Sequence, residues 1–364
     1  MTMTVREAAG SLLMVGLGGT ELSELERAWL KLIRPAGIIL FQRNIEGAQQ
    51  TRALLQEAGG LCAAHAARCV DVEGGTVDRL RVALAPMPAA QSVARAAREA
   101  NNPSLARRHG ELIARGVKAF GFNCTLAPVL DLGLPESAQV MGTRCAGATA
   151  EEVVAYASPF FAGLKAHGVT GCGKHLPGLG GGKLDSHLET PKIDRTWKQL
   201  WQQDLEPYRA LREEMPMAMV SHGAYPKTRG GKQPASVSPF WIGDVLRRRV
   251  GFRGIILSDD MEMGGVLKFL SIETAAVEAV RAGTDLVEIC HQPALILRAY
   301  EGLVSEGERS SAFRKILLQR ARESEKKRRK TFAGIAPALS SRQFESLRGE
   351  VLAFGEMIAK GVAA

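Results

Sequence analysis

Two short stretches of this chain combine residue types that do chemistry at the spacing chemistry needs. The first runs Gly173-Lys174-His175-Leu176-Pro177-Gly178-Leu179-Gly180-Gly181-Gly182-Lys183-Leu184-Asp185-Ser186-His187, a glycine-rich segment ending in Asp-x-His. Asp185 can accept a hydrogen bond from one imidazole nitrogen of His187, which leaves the other nitrogen to exchange a proton with a substrate. The glycines do not make a phosphate loop. Pro177 stands where the first glycine of that pattern belongs, and Leu184 where its Ser or Thr belongs. The second stretch, Ile255-Ile256-Leu257-Ser258-Asp259-Asp260-Met261, puts two carboxylates after an apolar run. A carboxylate at the tip of a buried strand is rigid and partly desolvated, which suits a nucleophile. Successive strand residues point to opposite sides, so one of the pair is expected to face the substrate. Asp259 is the choice. Asp260 is expected at the start of the following helix, where acidic side chains are favoured. The residues alone leave open which of the two attacks.

Such groups need rigid elements behind them. Eight short runs rich in Ile, Val and Leu cover residues 12–16, 37–41, 68–72, 122–130, 169–175, 217–222, 254–258 and 285–290. Most are continuous rather than alternating, as strands buried on both faces should be. Amphipathic segments fill the gaps, at 21–32, 46–59, 151–166, 272–282 and 294–305. Eight β-then-α units in unbroken series predict a single-domain α/β protein, a (β/α)8 TIM barrel, over residues 1–330. A doubly wound sheet would usually show a Gly-rich first turn, and no GxGxxG follows the first strand. Residues 331–364 read as extra C-terminal helices packed on the barrel or on a partner. In a barrel the working residues sit at the C-terminal strand ends. There the sequence places Asp71, Glu73, Asp131, Lys174-His175, His222, Asp259-Asp260, Glu288, Cys290 and His291, with Arg144 in a loop.

Composition narrows the class. The 364 residues carry a net charge of +9, densest in Arg247-Arg248-Arg249 and Lys326-Lys327-Arg328-Arg329-Lys330. No aromatic residues interleave with either run, as a single-strand nucleic-acid surface would want, so both runs are expected on solvated helix faces and no nucleic-acid partner is expected. Cys62, Cys69, Cys124, Cys145, Cys172 and Cys290 have no CxxC spacing and are expected as buried free thiols. No segment reads as a signal peptide or a bilayer span. The expected location is cytoplasmic, with no membrane partner and a monomer favoured.

These stretches, taken in order, resemble glycoside hydrolase family 3, in its bacterial β-N-acetylglucosaminidase subgroup. The resemblance runs from about residue 8 to residue 300. It is carried by Gly37-Ile38-Ile39-Leu40-Phe41 with Arg43-Asn44, by Val70-Asp71-Val72-Glu73-Gly74-Gly75, and by Leu126-Ala127-Pro128-Val129-Leu130-Asp131. It continues through Lys174-His175 to Asp185-Ser186-His187, Ser221-His222 with Tyr225-Pro226, and Ser258-Asp259-Asp260 with Met263. The resemblance implies a retaining exo-β-N-acetylglucosaminidase. Asp259 would form the covalent glycosyl-enzyme, and His187, oriented by Asp185, would act as acid and then base. Asp71, Arg144, Lys174 and His175 would hold the hydroxyls and acetamido group of the terminal sugar, with His222 lining the pocket near the nucleophile. No metal and no organic cofactor is implied. The implied substrate is a small carbohydrate or muropeptide, GlcNAc linked β-1,4 to an anhydro-muramyl peptide from peptidoglycan recycling. A glycine-rich loop bearing the acid/base predicts closure over the substrate.

The chain departs from the family pattern near the substrate. Leu179 stands where a histidine is usual in the Pro-Gly-His-Gly stretch, Thr76 where an arginine is common, and Val72 where glutamine is usual. Thr143 and Cys145-Ala146 also differ around Arg144. These changes bear on the preferred sugar. A β-glucosidase or β-xylosidase, or a phosphorolytic member of the family, is the alternative within the class. A catalytically inactive sugar-binding barrel is the alternative outside it, and a metal-dependent hydrolase lacks the early His-x-His such barrels use.

Overall fold

The computed structural model describes residues 3–182 and 190–361. Eight parallel strands form one sheet: β1 Leu13–Gly16, β2 Gly37–Leu40, β3 Ala67–Val70, β4 Cys124–Thr125, β5 Thr170–Leu176, β6 Met217–Val220, β7 Ile255–Ser258 and β8 Val287–Ile289. Neighbours in sequence are neighbours in space, and β8 returns to pair with β1 in the register Leu13–Val287. The Leu257–Leu286 bridge joins β7 to β8, which closes the (β/α)8 barrel. Every residue of these strands is buried, because helices cover the outside and side chains fill the inside. The fourth expected strand, 122–130, is regular only at Cys124–Thr125 and continues as an extended segment that meets β5 at Val129–Lys174.

Two apolar layers hold the barrel. The interior packs Met14, Ile39, Cys69, Cys124, Cys172, Met217, Leu257 and Cys290 against one another. The larger layer lies between strands and helices and includes Leu30, Leu112, Phe160, Trp241, Val280 and Tyr300. All six cysteines are buried and free. Helix starts are set by local capping: Ser23 and Glu26 form a capping box before Glu24–Ile33, and Thr149 with Glu152 does so before Ala150–Ala166.

The C-terminal tail packs on the barrel. Helix Ser311–Thr331 leads to Phe332, whose ring joins the interior cluster from the end opposite the carboxyl ends of the strands. Arg68 Nη2 and Asn123 Nδ2 both donate to the Ala333 carbonyl at 2.8 Å, which fixes the chain there. Helix Ser341–Lys360 then lies on helix Ser104–Ala119, where Glu350 accepts from Arg115 Nη1 and Nη2 at 2.7 Å and also meets Arg108.

The basic runs are not solvated faces throughout. Arg247 and Lys327 both turn inward onto the fully buried Asp285 carboxylate, and Arg328 is 1% exposed with its guanidinium on the Ala64 carbonyl. Consecutive helix positions are 100° apart, so a basic run on a packed helix necessarily sends some members toward the body. Here a buried carboxylate and a buried carbonyl are what they meet. Among the described residues no helix is long and apolar enough to cross a membrane.

Candidate active site

The carboxyl ends of the strands surround a cavity of about 220 Å³. Asp71, Glu73, Arg144, Lys174, His175, Asp259, Asp260 and Glu288 supply its polar wall; Phe41, Leu126, Val140, Met141, Leu179, Met219 and Met263 supply apolar surface. Of the residues singled out from sequence, Asp71, Arg144, Lys174, His175 and Asp259 therefore meet at one place. Asp185 and His187 lie outside the described residues.

Glu73 organises one side. Beyond β3 the chain turns through a small hairpin, Val72–Gly74 with Val77–Asp78. Gly74 and Gly75 have φ of +90° and +63°, and a Cβ on Gly74 would sit 2.1 Å from the Pro88 carbonyl oxygen, so only glycine serves there. The turn aims Glu73 at Arg144, which binds it through Nε and Nη2 at 2.8 Å each. Lys174 Nζ contacts Glu73 at 2.6 Å and Asp71 at 2.7 Å. Burial opposes ionisation of Glu73, but Arg144 and Lys174 outweigh it and hold the carboxyl well below the usual carboxylate range. Burial likewise works against the charges of Arg144 and Lys174, and the surrounding carboxylates, chiefly Glu73 for Arg144 and Asp71 for Lys174, raise both above their ordinary values. All three groups are charged, and the two cations are held rigid at the pocket wall.

Asp131 does the same for His175. Its Oδ2 is 2.6 Å from His175 Nδ1 and accepts from the His175 backbone N–H at 3.2 Å, while Oδ1 accepts from the Leu179 N–H at 2.7 Å. The ring proton therefore belongs on Nδ1, and Nε2 accepts from Arg144 Nη2 at 3.4 Å. Strict alternation would send Lys174 and His175 to opposite sides. The register shift between Gly173 and Leu176 lets both reach the cavity. Glu73 and Asp131 stand at strand ends in the sequence, which by itself assigns them no role. Their signal is the pairing of a strand-end acid with a distant base, which spacing does not reveal.

The opposite side is the tip of β7. Both Asp259 and Asp260 line the cavity, contrary to the expectation that only one would. The regular strand stops at Ser258, so alternation no longer governs the pair. Their environments separate them. Burial raises the Asp259 pKa, but the neighbouring His222, His175 and Lys174 side chains and the Asp260 N–H at 3.0 Å bring it below the ordinary value. Burial together with the Glu262 and Asp259 charges pushes Asp260 up to about 7. Asp260 also accepts the Glu262 N–H at 3.0 Å, a local turn contact before helix Gly264–Leu267.

His222 is a correction. It is 0% exposed and is not among the residues lining the cavity. Nε2 donates to the Asp260 carbonyl at 2.8 Å, and Nδ1 is hydrogen-bonded to the Ser236 hydroxyl at 2.7 Å. It braces the backbone at the β7 tip from behind the cavity wall. At the glycine-rich segment, residues 178–182 are closely packed: a Cβ on Gly180 would lie 2.5 Å from the Leu132 carbonyl oxygen. Leu179 lines the cavity, and on the other side of the segment Thr190 Oγ1 donates to the Gly265 carbonyl at 2.5 Å, five residues past Asp260.

The sequence matches the family model described as the glycosyl hydrolase family 3 N-terminal domain over residues 4–321. It is 34% identical over 302 residues to a β-hexosaminidase of Idiomarina loihiensis, spanning 83% of this chain and 90% of that one. It is 37% identical over 283 residues to a β-hexosaminidase of Chromobacterium violaceum, spanning 77% and 78%. Among solved structures, a glycoside hydrolase family 3 β-N-acetylglucosaminidase from Paenibacillus sp. str. FPU-7 is similar with a TM-score of 0.85 and 28% identity, over 97% of this chain and 69% of that one. NagZ from Neisseria gonorrhoeae in complex with N-trifluoroacetyl-D-glucosamine is similar with a TM-score of 0.79 and 28% identity, over 95% and 98%.

Proposed function

The chain belongs to glycosyl hydrolase family 3 and is a β-hexosaminidase-like hydrolase, and from that premise we propose that it is a retaining exo-β-N-acetylglucosaminidase with Asp259 as nucleophile. The observation that carries the reading is the opposition across one small cavity of an ionised Asp259 and a rigid cationic wall, Arg144 and Lys174, held by Glu73 and Asp71. A cavity of this size accepts one terminal sugar, which favours removal from a chain end. Asp71, Lys174, Arg144 and His175 bind the hydroxyls and acetamido group; a solved relative holds an N-acyl glucosamine of this kind. Asp259 attacks the anomeric carbon as the leaving oxygen takes a proton and departs, and water, giving up a proton, then displaces Asp259 from the same carbon to release the sugar with retained configuration. His187, oriented by Asp185, supplies and recovers that proton. An imidazole does this with a pKa of roughly 6.5 and needs no raised carboxylic acid. The polar substrate class is an N-acetylglucosaminyl muropeptide, whose acidic peptide suits a basic protein.

The test is hydrolysis of p-nitrophenyl β-N-acetylglucosaminide beside the matching β-glucoside. Wild type should release nitrophenol from the acetamido substrate, and Asp259→Ala and His187→Ala should each lose about 10³-fold or more in kcat. Added azide should rescue Asp259→Ala with an inverted glycosyl azide as product. Hydrolysis of the glucoside alone would overturn the sugar assignment; full activity in Asp259→Ala would overturn the mechanism.

A further inference from the structure

Next to Asp259, on the β7–β8 side of the cavity, acidic groups crowd together with a thiol and an imidazole that the glycosidase reaction does not use. Glu288 is 3% exposed; its Oε1 accepts from Cys290 Sγ at 3.1 Å, and its Oε2 has no hydrogen-bond partner among the described residues. Cys290 Sγ, a ring nitrogen of His291 and a carboxylate oxygen of Asp260 lie within 4.8 Å of one another, with His291 Nε2 3.5 Å from Asp260 Oδ2. All four side chains line the cavity. Burial, with Asp260 adding to it, raises Glu288 well above its ordinary value, and burial followed by Glu288 raises the Cys290 thiol. Thiolate, imidazole and carboxylate together are the donors that zinc and its chemical neighbours select.

We propose that Cys290, His291 and Asp260, backed by Glu288, form a binding site for a zinc-class divalent ion in the wall of the sugar cavity, so that metal and sugar compete. Binding releases the Cys290 thiol proton and the Asp260 carboxyl proton to solvent. Arg43 Nη1 donates to His291 Nδ1 at 2.9 Å, so the ring proton resides on Nε2. Ligation through Nε2 moves that proton to Nδ1 and turns Nη1 away, while Nη2 keeps the Cys290 carbonyl at 2.7 Å. Small rotations then bring the donors to the spacing of about 3.5 Å that a tetrahedral site needs.

Cobalt(II) titration of the full-length protein, followed by absorbance, tests this. A near-ultraviolet thiolate-to-cobalt charge-transfer band should appear at one equivalent and strengthen from pH 6 to pH 8. It should vanish in Cys290→Ser, persist in the control Cys62→Ser, and require about 10-fold more cobalt in His291→Gln. Zinc should displace the cobalt and raise KM for the glycoside with kcat unchanged. Absence of the band in wild type, or a band that survives Cys290→Ser, overturns the site. If Cys290→Ser does not fold, the half-exposed His291→Gln decides: unchanged cobalt affinity overturns the proposal. The absorbance readout is independent of turnover, so a failed glycosidase assay leaves it interpretable.

Discussion

At the scale of residues, the site depends on adjacent groups being driven to different protonation states. Asp259 and Asp260 follow one another in the chain, yet one is held ionised and the other is pushed up to about 7. A folded-state pKa raised above the unfolded one means that Asp260 favours folding while protonated. That advantage is complete at acid pH and is lost as pH rises through about 7. Asp260→Asn should therefore melt progressively higher than wild type as pH rises from 5 to 8, by up to roughly 4 kcal/mol, and the gap should close at pH 4. Melting curves across that range check it, and a pH-independent difference would refute the assignment. Glu73 shows the converse. Glu73→Gln removes the anion that two buried cations share, which should cost about 3–5 kcal/mol and raise KM sharply. Denaturant unfolding together with steady-state kinetics reads both effects.

At the scale of elements, a strand delivers a side chain only as accurately as the segment after it is held. Asp131 ties His175 and the Leu179 N–H together, and Gly180 presses against the Leu132 carbonyl. The start of the glycine-rich segment is thus packed in place, and its glycines there serve close approach. Gly180→Ala should push the segment from Leu132, lowering the melting temperature and raising KM several-fold, while far-ultraviolet circular dichroism stays unchanged. An Ala variant with wild-type KM would show that this approach does not position the site. His222 plays a similar part from β6: it reaches no cavity surface but holds the Asp260 carbonyl, and so sets the direction of the β7 tip.

At the scale of the molecule, the barrel is polar at one end and sealed at the other. The interior between is filled by thioether, thiol and aliphatic groups, and Phe332 closes the far end. Phe332→Ala opens a cavity there and should cost about 3–5 kcal/mol in unfolding free energy. Because the change lies opposite the rim, KM at low temperature should match wild type. A raised KM would mean that the two ends are coupled. The net charge of +9 is likewise not all surface charge, since Arg247, Lys327 and Arg328 are partly or wholly drawn inward.

Much of this was determined by the chain's own pattern. Continuous apolar runs separated by amphipathic helices can bury both faces of each strand only in a covered parallel sheet, and eight in series close it. Asp71, Lys174, His175 and Asp259, at the ends of their runs, share one rim because strand direction alone decides which end of a run carries them. Tertiary structure decided what depends on partners remote in sequence. Glu73 became a hub through Arg144, 71 positions away, and Asp131 through His175, 44 positions away. It also decided what depends on where regularity stops: side-chain alternation holds inside a strand, so it could not predict that Asp260 would face the cavity or that His222 would not. The burial of Arg247, Lys327 and Arg328 was settled the same way. A basic side chain stays in water unless the fold brings it an acid or a carbonyl, and Asp285 and the Ala64 carbonyl meet these three only once the barrel is closed.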